Sequence, residues 1–336
     1  MTTRRKYATV KPVKQRRKTR VTVCIASIYN NNSLLGASDK MLTNYDVEFE
    51  PTDRAAKKTF PVTKNIVVMT AGGSSIHAHL LPKLQQFVNK RLEEDSSTLL
   101  PVVDVANNYQ KQYIEYRRSV AEKQFLAPLG LNLETFTAIQ QTMNQQLVLN
   151  IASGLVDYKI DYNEDIEAII AGIDETGPHL YVLQSDNLIC NDNVGFAAIG
   201  SGANHAISQL ELSGLSRYSP EVKTLLSVHR AKKKSEVSPG VGKATDMFVI
   251  GPRPNSFSWL EPTDNIKTDI VSDMDGFYKR YLASIARLDQ REEAKIQEYL
   301  DKFAQSAKAT LDQATNEEGG NNEGQEPTKG KGRKTN

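Results

Sequence analysis

The chain has 336 residues, of which 39% are hydrophobic and 24% are charged, and its formal net charge is +2 at pH 7. This length and composition exclude a peptide hormone, a disulfide-stapled miniprotein and a wholly disordered chain. No apolar run approaches the roughly 18 residues that a membrane-spanning helix needs, and the chain does not open with the apolar segment of a secretory signal. We therefore predict a globular protein of the cytoplasm.

The charge is distributed unevenly along the chain. Residues 1–20 contain nine Lys or Arg side chains and no acidic residue, which predicts a basic N-terminal extension or propeptide over residues 1–21. A charge run on a terminus is usually solvated, so a nucleic-acid partner is not expected. The far end becomes Gly-rich and polar, which predicts a disordered tail over 311–336. The folded domain is expected over 22–310.

The folded part opens with a predicted antiparallel hairpin. Two runs rich in β-branched and apolar residues, 21–29 and 33–38, flank three asparagines at 30–32. Asparagine tolerates the left-handed backbone conformation of tight turns, so this pattern favours two strands joined by a short loop. A third strand is predicted over 65–71, and it ends at the pair Gly72-Gly73.

The rest of the folded part alternates between blocks of helices and blocks of strands. Apolar residues at helical spacing predict helices over 76–92, 102–124 and 274–307, and helical patterning also covers 133–155,. A further helix is predicted to start within 200–212, and another at 219–221, where serine is a natural N-cap and proline suits the first turn,. Short apolar runs predict further strands over 167–173, 179–184, 195–200 and 246–250. Because hairpin-type connections dominate, the order favours an α+β sandwich of antiparallel sheets over a parallel βαβ sheet.

Common metal and cofactor motifs are absent from the sequence. It contains no P-loop, no dinucleotide-binding glycine motif and no metalloprotease or serine-hydrolase signature,. His77 and His79 are two residues apart on a predicted helix and point to different sides, so they cannot share a metal. Cys24 and Cys190 lie in strand-like stretches and are predicted to be buried thiols, since their spacing does not fit a zinc site. We therefore predict neither a metal nor a cofactor.

Small and charged residues stand at the ends of the predicted strands. Thr22 heads the first strand, Asp39 ends the second, Lys58 precedes the third and Gly72 follows it. Each position alone is weak, because any strand can begin with threonine or end with aspartate. Their combination and order carry the functional prediction.

In this combination the chain resembles the proteasome β-subunit family of N-terminal nucleophile hydrolases. TVCIASIYNNNSLLGASDKMLT is similar to the family's opening hairpin, and AKKTFPVTKNIVVMTAGG to the next block. The later blocks AIIAGID and VGFAAIGSGANHA are also similar, and the family's conserved serine falls on Ser201. The similarity covers roughly residues 20–252, and its opening looks most like the bacterial proteasome-related peptidases.

The resemblance implies a four-layer αββα sandwich of two antiparallel sheets, with Thr22 at the mouth of a cleft. It implies a threonine-type peptidase or amidohydrolase in which Thr22 is the nucleophile and its own α-amino group is the base. Lys58 would supply a positive charge, Asp39 would orient Lys58, and the backbone N–H of Gly72 would stabilise the oxyanion.

The resemblance also assigns supporting roles. Ser201 would hydrogen-bond the threonine amine, and Thr43 would pair with an extended substrate strand together with Gly72. Ser238 matches the family's late serine, but its usual aspartate partner falls on Ser235, so the neighbouring Glu236 is the candidate substitute.

Two readings of residues 1–21 remain open. They are a propeptide that is removed to free Thr22, or a permanent extension like that of non-catalytic α-type subunits. Val21 bears on the choice, because self-cleaving members of the family favour glycine at that position and a β-branched residue resists the strained geometry. The resemblance implies a polypeptide substrate and a homo-oligomeric ring or spiral, and it leaves a regulatory ATPase or cap unassigned. The stretch 125–162 and the C-terminal helix lie outside the family pattern.

Overall fold

The computed structural model describes residues 22–44, 47–49, 57–95, 99–158, 160, 165–252, 256–260 and 269–319. The strands in these ranges are β1 (Cys24–Tyr29), β2 (Ser33–Asp39), β3 (Leu42–Asn44), β4 (Val47–Phe49), β5 (Thr59–Pro61), β6 (Ile66–Gly72), β7 (Ile166–Asp174), β8 (Gly177–Gln184), β9 (Asn187–Cys190), β10 (Phe196–Ile199), β11 (Thr245–Ile250) and β12 (Ser258–Trp259). The α-helices are α1 (Ser74–Glu94), α2 (Val102–Phe125), α3 (Leu133–Ile139), α4 (Gln145–Asp157), α5 (Ala203–Leu212), α6 (Glu221–Ser235) and α7 (Ile270–Gly319).

The strands form two five-stranded antiparallel sheets. The first sheet has the order β10-β1-β2-β11-β12, and the second has the order β5-β6-β7-β8-β9. A separate two-stranded ladder joins β3 to β4. The hairpin predicted at the start of the folded part supplies β1 and the central strand β2 of the first sheet, with Tyr29 opposite Ser33 in the register. Asn30 and Asn31 take the left-handed conformation, with φ of 50° and 57°, as the turn prediction required.

Alternating side chains on the strands create the layers. On β6, Val67 and Met69 face a core between the two sheets, whereas Ile66 and Val68 pack against α1 and α2. On β1, Cys24 and Ala26 face the same inter-sheet core, and the opposite face of the strand packs on α5 and α6. Because each strand points successive side chains to opposite faces, both sheets are buried on both sides. The predicted four-layer αββα sandwich is confirmed.

The segment between the second helix and β7 is helical, as predicted, but broken. Helix α3 begins with a capping box at Asn132, whose side chain accepts a hydrogen bond from the backbone of Thr135. Helix α4 follows after a short 3-10 turn at Gln140–Thr142. Leu126, Phe136 and Ile151 form a small hydrophobic cluster of their own.

Two sequence expectations differ from the structure. Cys190 is exposed, not buried, because β9 is the edge strand of its sheet. Helix α7 continues to Gly319, past residue 310 where the tail was predicted to begin, and residues 320–336 lie outside the described ranges, as do residues 1–21.

The chain divides into two units, Met1–Met274 and Asp275–Asn336. The first contains both sheets and helices α1 to α6, and the described part of the second is helical. Among the described residues, none of the helices combines the length and apolarity needed to cross a bilayer.

Candidate active site

Three of the predicted site residues meet at one carboxylate oxygen. Asp39 is fully buried at the end of β2, and its Oδ1 accepts hydrogen bonds from Thr22 Oγ1 at 2.8 Å and from Lys58 Nζ at 2.7 Å. The backbone N–H of Val23 donates to the same oxygen at 2.9 Å. Thr22, not its neighbour Val23, therefore presents its side chain to Asp39, which also binds Lys58.

The second oxygen of Asp39 is held by backbone groups. Met41 N–H donates to Oδ2 at 3.1 Å, and Gly242 N–H donates to it at 3.0 Å. Two oxygens with five donors, one of them a cation, compensate for burying the negative charge of Asp39.

The backbone of Thr22 is anchored by the turn that follows β10. Its N–H donates to Ser201 Oγ at 3.3 Å, and its carbonyl oxygen accepts from Ser201 Oγ and Gly202 N, both at 3.2 Å. Gly200 in the same turn has φ of +90°, and an added Cβ would lie 2.4 Å from the carbonyl oxygen of Thr22. A side chain at position 200 is therefore excluded by both conformation and space.

Gly72 lies at the end of β6 and also requires glycine. Its φ is +90°, and a Cβ there would lie 2.1 Å from the carbonyl oxygen of Asp165. Two residues earlier on the strand, Thr70 N–H donates to the carbonyl oxygen of Lys58 at 2.8 Å. Because backbone N–H groups alternate in direction along a strand, the N–H of Gly72 faces the same side as that of Thr70, the side of Lys58.

The remaining predicted site residues lie in different surroundings. Thr43 is in the short strand β3, of which only the backbone is described. Ser238 follows helix α6 and is buried. The carboxylate of Glu236 contacts Lys232 Nζ at 2.7 Å and Lys233 Nζ at 2.8 Å. Its described contacts are thus with lysines of its own helix.

Three residues that were not among the predicted site residues support the site. Ser235, on which the resemblance places the family's aspartate, donates its hydroxyl hydrogen bond to the carbonyl oxygen of Gly202 at 3.0 Å. Glu167 on β7 accepts from the N–H of Gly200 at 2.7 Å. Lys232 is completely buried, and its Nζ donates to the carbonyl oxygens of Gly242 and Lys243 at 2.9 and 2.7 Å.

A sequence signal existed for two of them. Lys232 and Ser235 share the apolar face of α6 with Val228 and Ala231, and a polar residue on a buried helical face needs a partner. For Glu167 there was no such signal, because both of its neighbours and the whole strand read as apolar.

Burial also determines the protonation of nearby groups. Burial raises the pKa of the Cys24 thiol well above its usual range, although the charge of Lys58 opposes this. The thiol is therefore neutral, and its Sγ donates to the carbonyl oxygen of Thr70 at 3.4 Å. Burial disfavours the charged form of Lys232 as well, and so lowers its pKa, although its hydrogen bond to Glu236 opposes this. Cys24 is thus a core residue and not a second nucleophile.

The described residues contain no group of three or more His, Cys, Asp or Glu side chains arranged to hold a metal ion. The described contacts of the candidate site instead combine a hydroxyl, a carboxylate, an ammonium group and backbone amides. Such a set can polarise a hydroxyl and bind an anionic intermediate, which is the requirement of acyl transfer.

Comparison with known proteins finds curated relatives named proteasome subunit beta 2. The chain is 34% identical over 84 residues to those of Pyrobaculum neutrophilum and Pyrobaculum calidifontis, and 33% identical to that of Caldivirga maquilingensis. Each alignment covers 25% of this chain, and the chain spans only about two fifths of the length of the curated relatives it matches. No family model matches the chain. Together with the αββα sandwich, these relatives confirm the predicted resemblance to proteasome β subunits.

Proposed function

We propose that this protein is a threonine-type peptidase or amidohydrolase, in which removal of residues 1–21 makes Thr22 the N-terminal nucleophile. One observation carries the proposal: Thr22 Oγ1 and Lys58 Nζ share Asp39 Oδ1 at 2.8 and 2.7 Å, inside the sandwich. A hydroxyl, a cation and a carboxylate in direct contact are costly to bury, and a purely structural sheet end has no need of them.

The base in this proposal is the α-amino group of Thr22. An α-amine has a pKa of about 7.7 to 8.0 and can accept and return a proton near neutral pH, whereas an amide nitrogen cannot. The nitrogen of Thr22 already contacts Ser201 Oγ, which would orient the freed amine. The nearby charge of Lys58 disfavours protonation of that amine, and so keeps it available as a base.

The proposed reaction proceeds by proton transfers between Thr22 and the substrate. Thr22 Oγ1 attacks the carbonyl carbon of the substrate and its proton passes to the α-amine, while the negative charge develops on the carbonyl oxygen. The N–H of Gly72 donates to this oxyanion, a contact worth on the order of 3 kcal/mol in other acyl-transfer enzymes. The protonated amine then gives its proton to the leaving nitrogen as the C–N bond breaks, which leaves the acyl group as an ester on Thr22. Water hydrolyses this ester, with the amine taking a proton from the water and returning it to Thr22 Oγ1.

The proposal also includes a substrate class and an assembly. The curated relatives are named proteasome subunits, so we propose a polypeptide substrate and a homo-oligomeric ring or spiral in the cytoplasm. Thr43 and Gly72 would pair with the substrate as an added strand. Ser238 and Glu236 would support the site from the end of α6 and the loop that follows it, just before Gly242.

One observation favours a second candidate, a non-catalytic structural subunit that keeps its extension. Thr22 is only 1% exposed, so little of its side chain is open to a substrate. The β-branched Val21 also disfavours self-cleavage. The two candidates differ in whether the chain is processed.

The deciding experiment is N-terminal sequencing and intact-mass measurement of the purified native protein. A chain that begins at Thr22 and hydrolyses peptides supports the enzyme. A chain that begins at Met1 and is inert supports the scaffold. A chain that begins at Met1 and still hydrolyses peptides rules out the proposed nucleophile.

A Thr22→Ala variant tests the nucleophile directly. We expect at least a 10³-fold loss of kcat, since triad nucleophiles of other hydrolases lose about 10⁶-fold when removed. Thr224→Ala is the matched control, because Thr224 is equally buried but its hydroxyl bonds the carbonyl oxygen of Pro220 in helix α6. Peptidase activity that survives in Thr22→Ala would assign the reaction to another group.

A further inference from the structure

A buried histidine lies directly behind the proposed oxyanion donor. His77 is in the first turn of α1 and is only 4% exposed. Its Nε2 lies 2.9 Å from the carbonyl oxygen of Ala71, and its Nδ1 lies 2.7 Å from the hydroxyl of Tyr109 on α2. The mechanism above assigns no role to this histidine.

The contacts fix the protonation state of the ring. A carbonyl oxygen only accepts hydrogen bonds, so Nε2 carries the proton and donates to Ala71. Nδ1 of the neutral ring then accepts from Tyr109. Burial lowers the pKa of His77 to about 4, so the ring is neutral under ordinary conditions. His77 is therefore a fixed, uncharged donor and not an acid or base of the reaction.

The atom that His77 holds belongs to the same peptide unit as the proposed oxyanion donor. In a planar trans peptide, the carbonyl oxygen of Ala71 and the N–H of Gly72 point in opposite directions. Because the N–H of Gly72 faces the side of Lys58, the carbonyl of Ala71 faces away from it. A hydrogen bond to that carbonyl from behind fixes the rotation of the whole plane, and with it the direction of the Gly72 N–H.

The next peptide along the chain is held by a second buried contact. Gly73 N–H donates to the carbonyl oxygen of Asp165 at 3.2 Å. The Asp165 side chain accepts from Tyr113 of α2 and, at 2.6 Å, from Ser185. Both tyrosines that support this turn thus come from α2, and burial raises the pKa of each. Uncharged tyrosine side chains of α2 thus support the turn after β6.

We infer that His77 is a positioning residue for acyl transfer: its Nε2–H aligns the Ala71–Gly72 peptide so that the Gly72 N–H meets the oxyanion. This inference rests on the proposed function. It predicts a loss in the steps that develop an oxyanion, with little effect on substrate affinity. A displacement of about 1 Å at a reacting centre costs on the order of 10²-fold in rate, so a ten- to hundredfold lower kcat is expected without the donor.

The test compares His77→Leu with the parent, both as the processed chain that begins at Thr22, and measures their reaction with two peptide inhibitors of the same sequence. A peptide aldehyde forms a hemiacetal with an oxyanion-like oxygen, whereas a peptide vinyl sulfone reacts by conjugate addition and develops no charge at that position. We expect His77→Leu to lower kcat and weaken aldehyde inhibition ten- to hundredfold, with KM and vinyl sulfone labelling within about threefold. His77→Gln keeps an N–H donor and should restore part of the loss.

His79→Leu is the matched control, because His79 is exposed on the same helix, and it should behave as the parent. A folded His77→Leu that keeps its kcat and aldehyde sensitivity within twofold would overturn the inference while leaving the proposed function intact. If His77→Leu does not fold, His77→Met replaces it, because it also removes the donor to Ala71, and unchanged aldehyde sensitivity there has the same meaning. A parent that reacts with neither inhibitor would remove both the proposed function and the inference.

Discussion

The two sides of the candidate site are built from opposite kinds of interaction. On the side of the first sheet, Asp39 collects a cation, a hydroxyl and three backbone amides. On the side of the second sheet, Gly72 is supported by the neutral His77, with Tyr109 behind it. The first side places charged groups near Thr22, and the second side sets the direction of the Gly72 N–H.

This difference follows from what each side has to do in the proposed reaction. A nucleophile needs a nearby charge that alters proton affinities, and such a charge acts over several ångströms. An oxyanion donor is an N–H group whose strength depends on its angle to the acceptor. Changes on the Asp39 side should therefore alter both charge and rate strongly, and changes on the Gly72 side should alter alignment.

Lys58→Met gives the largest expected effect on the charged side. It removes the cation and leaves the Asp39 carboxylate buried with only neutral donors, so we expect about a 10³-fold loss of kcat and a destabilisation of about 3 kcal/mol. Peptide hydrolysis and urea denaturation measure the two effects.

Lys57→Met is the control for that change. Lys57 is the adjacent lysine, and its Nζ lies 3.6 Å from the centre of the Trp259 ring, so its loss should cost about 1 kcal/mol at most and leave kcat unchanged. Equal losses in the two variants would mean that the position of Lys58 beside Asp39 carries no special role.

Lys232→Met tests whether a second buried lysine acts on the same side through structure. Its loss leaves the carbonyl oxygens of Gly242 and Lys243 without this donor, and we expect a destabilisation of about 3 kcal/mol. Because the N–H of Gly242 donates to Asp39, kcat should fall about tenfold. Lys234→Met, on the exposed side of the same helix, should change neither quantity. A Lys232→Met variant as stable as the parent would show that the lysine does not hold this loop.

The smallest expected effect is the pH dependence of stability on the neutral side. The pKa of His77 is about 4 in the folded chain, against 6.5 for an ordinary histidine. As the pH falls below 6.5 the unfolded chain takes up this proton first, so the stabilisation is complete above that pH and is lost as the pH approaches 4. We expect the free energy of unfolding to fall by about 2 kcal/mol from this group between pH 7 and pH 5.

His77→Gln should remove that part of the pH dependence, and His79→Gln should retain it. Denaturant titrations at pH 7 and pH 5 provide the measurement. If the free energy of unfolding changes equally between pH 7 and pH 5 in the parent and in His77→Gln, the ring is not held neutral in the fold.

Most of the fold could be predicted because its signals are local. The asparagine turn, the apolar face of α1 and the β-branched strands each depend on neighbouring residues, and all are present. The short edge strand β9 was recognised only as a strand-like stretch around Cys190. Its apolar sequence did not reveal that it lies at the sheet edge, where its side chains are mostly exposed. Helix α7 extends past the predicted boundary because residues 311–316 contain good helix formers before the Gly-rich stretch begins.

The site was predictable only where a residue type is tied to a known motif. Thr22, Asp39, Lys58 and Ser201 were found through the resemblance, and the structure brings them into contact. His77 lies on the same helical face as Leu80 and Leu84, yet its partners come from β6 and α2. Such long-range hydrogen bonds leave no mark in the local sequence.

The described anchors of Thr22 lie downstream of the bond that precedes it. Its carbonyl oxygen is held by Ser201 and Gly202, and its hydroxyl is held by Asp39. Cutting the chain between Val21 and Thr22 would therefore leave these described contacts in place. Removal of residues 1–21 would change the nitrogen of Thr22 from an amide to an amine in a site that is already formed. A protease that cuts at this one bond could therefore activate the protein in place of self-cleavage.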